Sequence, residues 1–100
     1  MNDTQNVSLR DMLNDASKRI DEASKSVGIY YEQPLVEASI RATLGIAYWK
    51  LGNELMAKHH LDKARSLWRR ELGTDGDPTL GPEIKQALGE YKAIMKRDAP

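Results

Sequence analysis

The chain has 100 residues, 40% of them apolar and 30% charged, which is enough for one small domain around a single core. Its 15 lysines and arginines balance its 15 aspartates and glutamates, so no global field draws in nucleic acid or anionic lipid. The lack of cysteine excludes disulfides, thiol nucleophiles and thiolate metal sites, and no apolar run approaches the roughly 18 residues of a membrane span. The polar opening MNDTQN does not have the order of a signal peptide, so the expected compartment is the cytoplasm.

Residues 1–7 carry no periodicity and read as a loose tail. Ser8 with Asp11 resembles a capping box, with aspartate in the usual glutamate place. From there Leu9, Met12, Leu13, Ala16, Ile20, Ala23 and Val27 recur at three- and four-residue spacing, one apolar stripe on a helix that Gly28 ends. A connection with Tyr30 and Tyr31 follows, and Pro34 suits the first turn of a second helix over 34–51. That helix has two apolar stripes. Ile40, Leu44, Ala47, Tyr48 and Leu51 form one, and Ala42, Ile46 and Trp49 the other, so it must be sandwiched between neighbours. Gly52 turns the chain and Asn53 caps a third helix over 54–72. This helix buries Ala57, Leu61, Ala64 and Trp68 and turns Lys58, Asp62, Arg65 and Arg69 outward. The turn-rich GTDGDPTLG leads to a last helix over 82–97, carrying Ile84, Ala87, Leu88, Tyr91 and Ile94. Nothing alternates with period two for long enough to argue a strand, and the class is all-α.

Gly45 interrupts the best apolar run, although a helix-interior glycine costs about 1 kcal/mol relative to alanine. The pairs Ala16/Ala57, Ile20/Leu61 and Ala23/Ala64 share an offset of 41 residues, as a helical repeat would. Leu44-Gly45, Ala47-Tyr48, Leu51-Gly52, Ala57, Leu61 and Ala64-Arg65 resemble the tetratricopeptide repeat signature, over about 38–69. Two departures stand out: Arg41 sits where that family often has tryptophan, and no proline closes the third helix on schedule. The extension RRELGTDGDPTL is similar to the longer repeats of kinesin light chains and bacterial signalling proteins, without their usual histidine before the proline.

The resemblance implies antiparallel helix pairs in a right-handed superhelix of about four helices: a half repeat over 8–28, a whole repeat over 34–72, and a half or capping repeat over 79–97. It gives Gly45 a purpose, close approach of the second helix to the third opposite Ala57 or Ala64. It also implies a partner-binding surface of Ser39, Ala42, Thr43, Ile46, Trp49 and Lys50, fit for a peptide or helix. Packing of Ala42, Ile46 and Trp49 on the first helix is the alternative. The family's carboxylate clamp is missing, because Ala42 and Ile46 stand at its places.

His59 and His60 point about 100° apart on a helix, with no third ligand evident, so neither a metal nor a cofactor is expected. No serine-histidine-acid set, phosphate loop or carboxylate pair supports catalysis. The expected function is a non-catalytic scaffold or adaptor that binds a protein or peptide, standing alone or within a larger signalling protein. A nucleic-acid regulator using Lys58, Lys63, Arg65, Arg69 and Arg70 is the alternative, and the neutral charge disfavours it. About three repeats are usually needed for stability. With fewer, the chain belongs to a longer array, caps itself, or self-associates through Ile84, Leu88, Tyr91, Met95 and the Trp49 stripe.

Overall fold

Pro34 and Gly52 bound the helix on which the rest is assembled. In the computed structural model, which describes residues 2–25 and 33–98, four helices follow in order: α1 (Asn2–Lys25), α2 (Pro34–Lys50), α3 (Glu54–Leu72) and α4 (Pro82–Asp98). No strand forms among the described residues, and none of their helices is long and apolar enough to cross a membrane. The class is all-α.

Pro34 opens α2 at a position where its missing N–H has no intrahelical partner. At the other end Gly52 takes φ 83°, a left-handed conformation that costs glycine little. Asn53 N–H then reaches the Tyr48 carbonyl at 2.9 Å and Gly52 N–H the Trp49 carbonyl at 3.0 Å, a Schellman closure. The Asn53 side chain accepts from Met56 N–H at 3.1 Å and starts α3 at once. This short turn returns α3 antiparallel along α2.

The beginning of α1 corrects the expected tail. The backbone is helical from Asn2, so Ser8 and Asp11 lie inside the helix and form no capping box. No glycine or proline interrupts 2–25, and a nucleated helix propagates until something stops it. The expected end at Gly28, with Val27, Tyr30 and Tyr31, lies outside the described residues.

The apolar core joins α2, α3 and α4. Ala38, Ala42 and Ile46 of α2 meet Leu61, Ala64 and Trp68 of α3 and Ala87 and Leu88 of α4, all buried. Leu80, from the loop before α4, packs against this cluster. Trp68 is its largest member, and its indole N–H finds no acceptor among the described residues. That omission costs about 1–3 kcal/mol. Burying 150–250 Å² of ring at about 25 cal/mol per Å² returns roughly 4–6 kcal/mol, so burial wins.

Gly45 is buried where α2 crosses α3. A methyl group there would stand 2.6 Å from Leu61 Cγ and 3.2 Å from the Ala57 carbonyl oxygen. The close approach is thus to Ala57 and Leu61, one turn from the alternative at Ala64. Gly45→Leu is expected to destabilise the fold by about 1–3 kcal/mol in urea unfolding, although leucine is the better helix former. A stabilised variant would contradict the packing described.

Candidate functional site

Arg41 is the sole charged residue between Glu37 and Lys50 on a helix otherwise fit for a core, and it is fully buried. A buried guanidinium has five N–H donors to satisfy and cannot shed its charge. Three helices supply the acceptors. Nε donates to Glu37 at 2.7 Å one turn back on α2, and Nη1 to Asp21 of α1 at 2.7 Å. Nη2 donates to Ser24 Oγ of α1 at 3.1 Å, while Nη1 also reaches His60 Nδ1 of α3 at 3.1 Å.

Arginine only donates, so His60 Nδ1 must accept. The proton of the neutral ring is then on Nε2 and is donated to Ser17 Oγ at 2.7 Å. Tyr48 stacks on this imidazole, 6.0 Å between centroids and 9° between planes, and donates its hydroxyl to Asn14 Oδ1 at 2.7 Å. Burial, followed by the neighbouring His59, lowers the His60 pKa from 6.5 to about 4. Asp21 also receives His59 Nε2 at 2.9 Å. Burial pushes the Asp21 carboxyl upward, but hydrogen bonds from Arg41 and His59 outweigh it and hold the carboxyl below its usual range.

Two chemical readings of this cluster fail on geometry. Asp21, His59 and His60 bring ligand atoms within 4.8 Å of one another, so α1 provides the third metal-ligand type that the sequence did not reveal. Arg41 Nη1, however, touches both Asp21 and His60 Nδ1 and puts a permanent positive charge where an ion would sit. The other His60 nitrogen is committed to Ser17. The Ser17–His60 distance suits a nucleophile and its base, yet the tautomer set by Arg41 leaves Nε2 protonated and unable to take the serine proton. Ser17 and His60 are 3% and 0% exposed, beyond the reach of a substrate. His59 is half-buried and His60 fully buried.

The expected partner surface is divided. Ala42 and Ile46 are buried, and α4 rather than α1 covers them, because Ala87 and Leu88 pack there. Trp49 is half-buried with Tyr91 edge-on at 5.8 Å. Ser39, Thr43 and Lys50 remain exposed, with Thr43 Oγ1 donating to the Ser39 carbonyl at 3.0 Å. These six residues do not form one accessible face.

An open cleft lies instead between α3 and α4, about 370 Å³ in volume. Lys58, Arg65, Lys92 and Lys96 bring four positive charges to its lining against Asp62 and Asp75. Lys58 pairs with Asp62 at 2.8 Å, and Arg65 lies 3.8 Å from Asp75, which also binds Arg69. Lys92 and Lys96 take part in no ion pair among the described residues. Half-buried Tyr91 and Met95, 40% exposed, add apolar surface between the charges. The basic face of α3 was legible in the sequence; its junction with Lys92 and Lys96 needed the placement of α4.

Comparison with known proteins gave no match to a protein-family model, a curated protein or a solved structure.

Two predictions follow from the Arg41 cluster. Arg41→Ala strands Asp21 and Glu37, whose side chains are 29% and 12% exposed, and should cost on the order of 3–5 kcal/mol in urea unfolding. A loss below about 1 kcal/mol would show that water already satisfies these carboxylates. Second, because the folded pKa of His60 lies below its unfolded value, the unfolded chain binds more protons between them. Stability is full above pH 6.5 and falls as the pH drops toward 4, by on the order of 3 kcal/mol. His60→Gln keeps one donor and one acceptor without titrating and should flatten that slope; an unchanged slope would refute the assignment.

Proposed function

We propose that the chain is a non-catalytic, cytoplasmic protein–protein interaction module of tetratricopeptide-like helix pairs, which binds a peptide or helix in the α3–α4 cleft. The cleft carries this reading. It is open, helix-lined, and combines Tyr91 and Met95 with Lys92 and Lys96, which take part in no ion pair among the described residues. That chemistry suits an acidic amphipathic segment whose apolar side meets Tyr91 and Met95 while its carboxylates meet Lys92 and Lys96. The repeat reading draws support from the close α2–α3 contact at Gly45 and from the burial of both Ile20 and Leu61, 41 residues apart. Nucleic-acid binding at the same cleft is the weaker reading, because Asp62 and Asp75 already engage Lys58, Arg65 and Arg69.

Fluorescence anisotropy with labelled acidic amphipathic peptides and with duplex DNA separates the two. Peptide binding is expected, and Lys92→Glu with Lys96→Glu should weaken it by about tenfold or more, equivalent to roughly 1.4 kcal/mol. Tighter binding to DNA with a steep loss of affinity as salt rises would favour the nucleic-acid reading. Peptide affinity indifferent to the double variant would remove the cleft from consideration.

A further inference from the structure

The face read from the sequence as a self-association surface is largely closed. Leu88 is buried, Ile84 and Tyr91 pack against the core, and Tyr91 meets Trp49. Apolar side chains are instead open at the opposite end of the chain's layout, where the first half of α1 passes the α2–α3 turn. Leu9, Met12, Leu51 and Leu55 are 49%, 67%, 43% and 79% exposed. Leu9, Met12 and Leu13 belong to one helical stripe, and Leu13, Leu51 and Leu55 line one cleft of about 550 Å³. Leu13, Leu51 and Leu55 bring three leucines to one open cleft, and grouped exposed apolar side chains mark interaction sites where scattered ones do not.

We propose that a second copy of this chain covers this patch in a two-fold dimer, with Leu55 of each copy seated in the other's cleft. Charge at the rim identifies the occupant. Arg10 and Glu54 line the same cleft, and neither takes part in an ion pair among the described residues. A patch that carries one cation and one carboxylate is complementary to itself: a two-fold axis sets Arg10 of each copy against Glu54 of the other. Such a dimer meets no net repulsion, since the chain's 15 positive and 15 negative residues cancel. This dimer is independent of the α3–α4 cleft and leaves it open on each copy.

Sedimentation velocity on the full chain, from micromolar to millimolar concentration, provides the test. The expected result is a reversible shift from the 11.3 kDa monomer to a species of twice that mass. Leu55→Glu should raise the dissociation constant by about tenfold or more while circular dichroism and the melting curve of the dilute monomer stay unchanged, because the side chain is mostly in water there. Arg10→Glu and Glu54→Arg should each weaken the dimer, and the two combined in one chain should restore it. A species that stays at 11.3 kDa throughout overturns the proposal. So does a dimer indifferent to Leu55→Glu, or one that the combined charge reversal fails to rescue.

Discussion

One buried guanidinium constrains the arrangement of three helices. Moving an unpaired charge into a protein interior costs far more than a small domain's whole stability, which is about 5–15 kcal/mol. Arg41 can therefore sit inside α2 only if carboxylates and hydroxyls reach it, and they arrive from α1 as Asp21 and Ser24 and from α2 as Glu37. Through Nη1 it also fixes the His60 tautomer, which in turn aims Nε2–H at Ser17. Replacing such a network by well-packed apolar side chains is often neutral or stabilising. Its contribution here is to specify which face and register of α1 meets α2 and α3.

The distribution of apolar contacts explains why that matters. The principal core is made by α2, α3 and α4, and no described side chain of α1 belongs to it. Ile20 is the one fully buried apolar side chain of α1 among the described residues, with Leu13, Ala16 and Ala23 half-buried. The domain therefore combines an apolar core shared by α2, α3 and α4 with a seam along α1 where charged and polar groups accompany buried Ile20. Both candidate surfaces follow from this division. Docking of α4 against Ala42 and Ile46 closes the inner face of α2 and opens the cleft with α3. On α1, Leu9 and Met12 stay largely in water while Leu13 lines the cleft beside the α2–α3 turn.

Local signals in the sequence translated well. Asn53, Gly52 and Pro34 are read from their own chemistry, and each acts where expected, so the bounds of α3 agree and those of α2 differ only at Leu51. Gly45 was legible because a strong apolar run had to justify it. The start of α1 was not, since a helix that begins without a breaker leaves no mark in a single sequence. The cluster around Arg41 was hidden for a different reason: Asp21 and His59 are 38 residues apart, and Ser17 and His60 are 43 apart. No periodicity links residues at such separations on three different helices. The hint was Arg41 itself, a charge at a position whose neighbours are all apolar or small. The expected binding residues divide between buried and exposed positions because the packing of α4, which buries Ala42 and Ile46 in the core, leaves no mark on the sequence of α2.

Native-state hydrogen exchange on the Asp21→Ala variant tests this division most directly. Removing that carboxylate takes away the charged partner that α1 offers to Arg41 and His59. A helix released from its body is marginal in water on its own. The account predicts that amides of α1 lose protection while those of α2, α3 and α4 at the apolar core keep most of theirs. Equal loss of protection in all four helices, or an α1 that stays as protected as before, would contradict it.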